Sequence, residues 1–128
     1  MKVIIAGSRS IVSLGVVNKA VKDSGFNITE IVSGHAKGTD KLGEQYGLLN
    51  QIPVKVFSAD WDKYGKAAGP MRNRKMADYA DAAIIVWDGV SKGTKHMIYE
   101  MNIRGKKCHI YMHLSPEFEK ELFDEVSD

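Results

Sequence analysis

The chain has 128 residues, 44% of them apolar, and its 18 basic and 16 acidic side chains give a formal net charge of +2. That is enough material for one hydrophobic core and too little for two domains of ordinary size, so a single domain over 1–128 is expected. One cysteine, Cys108, argues against a disulfide framework or a cysteine-rich metal site, and no apolar run is long enough to cross a membrane.

Lys2–Ala6 is a short β-branched apolar run that meets Gly7, Ser8 and Arg9 too early to be a signal peptide, and it reads as a buried strand. With the lone thiol, this points to a cytoplasmic protein. Residues 12–25 follow at helical spacing, with Val16, Val17, Ala20 and Val21 on one face and Gly25 at the stop. A second strand over Ile28–Val32 leads to a helix over 39–51 that Thr39 or Asp40 opens. The third strand, Val54–Phe57, precedes an irregular stretch from Ser58 to Gly69, long for such a unit, and then a helix over 70–80 with Pro70 in its first turn. Ala82–Trp87 is the fourth strand. A helix over 93–105, ended by Gly105, the strand Cys108–Met112 and a helix over 115–126, opened by Ser115 and Pro116, complete the pattern.

Alternating strands and helices, with strands apolar on both faces, predict an α/β fold. The expected form is a Rossmann-like three-layer sandwich with a five-stranded parallel sheet in the order 3-2-1-4-5 and helices on both faces. In such a sheet a ligand crevice lies beyond the C-terminal ends of the strands, where the strand order reverses. The loops after strands one and four fall there: Gly7-Ser8-Arg9-Ser10 and Asp88-Gly89-Val90-Ser91-Lys92-Gly93-Thr94-Lys95. Both combine glycine, which lets an anion reach the main chain, with hydroxyls and a cation, and the second runs into a helix N-terminus. The loop after strand two, Ser33 to Asp40, has the same composition and adds Gly34, Lys37, Gly38, Thr39 and Asp40 to the candidates.

Two further features bear on a ligand. Residues 115–128 carry a local charge of −5, which leaves +7 on the first 114 and fits an anionic partner, although solvated helix faces alone would account for it. In the stretch 59–74, Trp61 or Tyr64 could stack on a base, while Arg72 and Asn73 project from the start of the helix over 70–80 toward the crevice. The four histidines show no metal-ligand pattern, so neither metal nor cofactor is expected. Met97 and Met101 read as helix core. No P-loop tail and no spaced-glycine dinucleotide fingerprint occurs.

Taken in order, Gly7-Ser8-Arg9, Ser33-Gly34-His35-Ala36-Lys37-Gly38-Thr39-Asp40, the stretch 59–74 and Gly93-Thr94-Lys95-His96-Met97-Ile98 resemble the SLOG superfamily, specifically its YspA-type, cpYpsA-related branch of phage and bacterial proteins. The resemblance runs to about residue 112. It implies recognition of nucleotides, their derivatives or nucleic acid; on the residue reading, Gly7, Ser8, Arg9, Gly34, Gly93 and Thr94 would hold phosphates, Arg72 and Asn73 the sugar or a second phosphate, and Trp61 the base. It also implies a homodimer or larger homo-oligomer. The more distant lonely-guy branch, akin to the lysine-decarboxylase-like proteins, hydrolyses nucleotides with an arginine and a glutamate; Arg72 matches the arginine, but Met97 stands where the glutamate is required, and a thioether is no acid or base. Glu100, one turn further on, is the alternative carboxylate. The DNA-processing protein A branch shares the first two motifs and handles single-stranded DNA. The leading expectation is a binding, sensing or sequestering domain without catalysis; a nucleoside-phosphate hydrolase using Arg72 and a single-strand binder are the alternatives.

Overall fold

A computed structural model describes residues 1–114. The helix expected over 115–126, with its acidic charge, lies outside the described residues. Five strands, β1 (Lys2–Gly7), β2 (Glu30–Ser33), β3 (Val54–Val56), β4 (Ala82–Trp87) and β5 (Lys107–Met112), form one sheet in the order β3-β2-β1-β4-β5 with every pairing parallel. This is the expected α/β order. The helices are α1 (Leu14–Ser24), α2 (Thr39–Leu49), α3 (Trp61–Tyr64), α4 (Ala68–Tyr79) and α5 (Lys92–Ile103), with a 3-10 turn at Gly65–Ala67 between α3 and α4.

Alternation along the strands divides the core in two. Val3, Ile5, Ile31, Ile84 and Val86 point to one face and meet Val17, Ala20 and Val21 of α1, with Leu42 and Tyr46 of α2 alongside. Ile4, Val32, Ala83 and Ile85 point to the other and meet Met76 and Ala77 of α4 and Met97 and Met101 of α5. Right-handed crossovers explain the division: β1 to β2 to β3 steps one way across the sheet and β4 to β5 the other, so their helices cover opposite faces. The chain therefore diverges at the C-terminal ends of the adjacent strands β1 and β4, and a cleft opens there.

Several local expectations need correction. The stretch 58–69 contains α3, because Asp60 caps it by accepting the Lys63 N–H at 3.2 Å. The fourth helix starts at Ala68, ahead of Pro70, whose missing N–H costs nothing so early in a helix. Neither Thr39 nor Asp40 caps α2; Gly38 holds that position, and both are first-turn residues. The second strand begins at Glu30, since Ile28 and Thr29 precede the ladder with β1, and β3 ends at Val56. Gly25 and Gly105 follow the ends of α1 and α5 as expected.

Candidate functional site

Much of the small-residue composition at the strand ends serves contacts between the loops themselves. Ser8 donates its N–H to the Val86 carbonyl at 3.0 Å, its carbonyl accepts from the Thr39 N–H and hydroxyl at 3.3 and 3.0 Å, and its hydroxyl accepts from Asp88 N–H at 3.0 Å. One buried serine thus joins three loops. Gly7 is required because a Cβ there would lie 2.0 Å from the Val86 carbonyl oxygen. Gly38 has φ +86°, and a Cβ there would come within 2.6 Å of the main chain of Ser8 and Arg9. Asp88 is a loop cap: its Oδ1 accepts from Val90 and Ser91 N–H at 2.9 and 2.8 Å, and Gly89 makes the turn between. Burial raises the Asp88 pKa, but those N–H groups and the Ser8 hydroxyl more than reverse this, and it lies below the ordinary carboxylate value.

Most of the other predicted residues face a cleft of two joined lobes. Gly7, Arg9, Asp40, Arg72, Asn73, Ser91, Gly93 and Thr94 line the first, of about 250 Å³, with Ala6, Ala36, Met76 and Met97 completing its wall. The second, about 260 Å³, shares Arg9, Ala36 and Arg72 and adds Gly34, His35, Lys37, Ser58, Ala59 and Trp61. Ser10 and Lys95 are exposed and line neither lobe, so the expectation that they join the other site residues is corrected.

At the junction of the lobes stand two guanidiniums. Arg72 donates from Nη1 to the Gly34 carbonyl at 2.7 Å and from Nε to Asn73 Oδ1 at 3.1 Å, which leaves its other N–H groups for a ligand. Burial lowers its pKa, the Asp40 carboxylate raises it, and the like charge of Arg9 lowers it again. Asp40 is 5% exposed, and burial pushes its carboxyl up to about 6 against the opposing pull of the Ala36 N–H, the Arg72 charge and the Gly7 N–H. At the open end, the first-turn N–H groups of α5, including those of Gly93 and Thr94, have no preceding turn to bond. A Cβ on Gly93 would meet nothing within 4 Å. Trp61 is 52% exposed, with its six-membered ring resting near Gly69 of α4.

Glu100 faces away from this cleft. It is buried between α4 and α5, where Arg104 Nη1 lies 2.6 Å, His96 Nε2 3.0 Å and Arg74 Nε 3.5 Å from its carboxylate. The bond from Arg104 holds its pKa below the usual value, against burial and with the help of the Arg104 and Arg74 charges. Ala36 and Met76 were not legible as site residues. Only their placement against residues of other segments brings them there.

The profile of the YspA, cpYpsA-related SLOG family matches residues 1–64, half of the chain, including Gly7-Ser8-Arg9, the whole 33–40 loop and Trp61. The chain belongs to that family. Arg72, Asn73 and the start of α5 lie beyond the matched part and complete the SLOG cleft from the other side of the sheet. Among similar proteins, the Gene 61 protein of Mycobacterium phage D29 is 31% identical over a match covering 59% of this chain and 65% of that protein. A solved structure of DNA processing protein A from Streptococcus pneumoniae superposes with a TM-score of 0.68 at 17% identity, over 98% of this chain and 56% of that one. At that identity the likeness is one of fold. Each relative extends well beyond the part this chain covers. Among the described residues no helix is long and apolar enough to cross a membrane.

Proposed function

We propose that this SLOG domain binds a nucleotide-derived small molecule with at least one phosphate, and that it senses or sequesters that molecule without transforming it. The observation that carries the reading is the presence of two like-charged guanidiniums, Arg9 and Arg72, at one junction, with one buried carboxyl, Asp40, beside Arg72. Two cations facing one carboxyl keep a net positive charge, which favours an anion between them. Open first-turn N–H groups at Gly93 and Thr94 add donors for phosphate oxygens, and the half-exposed Trp61 in the second lobe offers a face for a base.

Hydrolysis by the lonely-guy route lacks its carboxylate. Met97 occupies the cleft wall, and Glu100 is engaged by Arg104, Arg74 and His96 between α4 and α5. Calorimetry with ADP, mononucleotides, ADP-ribose and cyclic dinucleotides tests the binding reading. Saturable binding to at least one, lost in Arg72→Met and accompanied by no release of free base, is expected. Folded protein that takes up none of them overturns it. A salt-sensitive mobility shift with single-stranded DNA, without small-molecule binding, would transfer the site to nucleic acid.

A further inference from the structure

A row of four side chains runs from the cleft to the outer side of the α4–α5 contact. Arg72 Nε donates to Asn73 Oδ1 at 3.1 Å, Asn73 Nδ2 lies 3.1 Å from His96 Nδ1, and His96 Nε2 lies 3.0 Å from Glu100 Oε1. Chemistry at the two ends sets the direction of every bond between them. A guanidinium can only donate, so the amide atom facing Arg72 is Oδ1 and the one facing His96 is Nδ2. The Gly93 carbonyl, 3.4 Å from the same Nδ2, requires the same orientation independently. An amide nitrogen also only donates, so His96 Nδ1 is the bare ring nitrogen and the ring proton sits on Nε2, facing a carboxylate that only accepts.

We propose that His96 is a positioning residue for the ligand cleft: as the Nε2–H tautomer it orients the Asn73 amide, and through that amide it fixes the Arg72 guanidinium. The proposal rests on the reading of the cleft as an anion site. Arg72 has two anchors, and the Gly34 carbonyl alone leaves the guanidinium free to rotate about its contact; the second anchor, Asn73 Oδ1, sets its plane. A doubly protonated ring would set donor against donor at Asn73. Turning the amide over would only move the conflict to Arg72 Nε. The charged groups around the row are Glu100 on α5, Arg104 just after it, and Arg72, Arg74 and Asp78 on α4, with Asp78 paired to Arg104 at 2.7 Å.

Nitrogen-15 spectroscopy of the full chain at mildly alkaline pH tests this before any ligand is added. Long-range ring correlations should report the Nε2–H tautomer for His96, a reading that needs no substitution. The Arg72 Nε–H should exchange with solvent about tenfold faster in His96→Phe than in the wild type, and ADP affinity should fall by about tenfold in the same variant. A wild-type ring protonated on Nδ1, or unchanged Arg72 Nε–H exchange in the variant, overturns the proposal. Equal ADP affinity in the two proteins also overturns it while leaving the nucleotide reading standing. If tautomer and exchange behave as expected and the wild type takes up neither ADP nor any other member of the nucleotide panel, the hydrogen-bonded row stands and the nucleotide reading falls.

Discussion

Arg72 reaches back 38 residues in sequence to donate to the main-chain carbonyl of Gly34 at 2.7 Å, and it lies across the Cα of that glycine as it does so. A Cβ at position 34 would lie 2.8 Å from Asp40 Oδ2 and 3.0 and 3.1 Å from Nη1 and Cδ of Arg72. The glycine therefore admits both side chains of the cleft's charged centre at once.

Gly34→Ala separates binding from folding. The atoms it would displace belong to side chains and not to the main chain, so the stability cost should stay at about 1 kcal/mol. The displaced guanidinium should lower ADP affinity by tenfold or more, on the order of one lost charge-assisted hydrogen bond. Thermal melting and calorimetry on one preparation check both halves.

Gly38→Ala and Gly93→Ala should behave in opposite ways although both glycines lie in loops of the same composition. At Gly38 the added carbon meets main chain at 2.6 Å in a left-handed conformation, and a loss of about 3 kcal/mol or more is expected. At Gly93 it meets nothing within 4 Å. There, α5 gains helix propensity of roughly 0.5–1 kcal/mol while the cleft loses room for an anion. Urea denaturation ranks the two variants, and calorimetry shows whether Gly93→Ala binds less well.

The pH dependence of stability should carry the signature of Asp40. Its carboxyl rises from 3.8 to about 6 on folding, so the folded chain holds the proton more tightly than the unfolded one. This contribution is complete below 3.8 and is lost as the pH climbs through about 6. Asp40→Asn removes it, and the stability of that variant relative to wild type should rise across this window by on the order of 2–3 kcal/mol. Parallel curves for the two proteins would contradict the assignment. Arg72→Met should move the Asp40 midpoint upward, read by carbon-13 spectroscopy of the carboxyl, because the Arg72 charge holds it down.

Asp88→Ala tests the loop that delivers α5. Two main-chain N–H groups, those of Val90 and Ser91, lose their acceptor, and a cost of about 1–2 kcal/mol is expected by denaturation. Asp88→Asn keeps an acceptor oxygen and should recover most of it.

The chain's own pattern determined the strand order, the placement of helices on both faces and the location of the cleft. Periodicity of burial and the handedness of crossovers are rules that act on each unit separately. It also brought Arg9, Arg72, Asn73, Gly93 and Thr94 together, because strand ends converge at the reversal point. Even α3 has a local signal in Asp60, three residues before the N–H it caps. Composition could not say which small residues face a ligand and which face another loop: Gly7, Ser8 and Gly38 look like Gly93 until the main chain of Val86 or Arg9 is placed beside them. The raised pKa of Asp40, the anchoring of Arg72 on Gly34 and the row through His96 to Glu100 were decided by tertiary structure alone. Each depends on burial and on ångström-scale distances between segments far apart in the chain, and only the packing of α2, α4 and α5 on the sheet sets those distances.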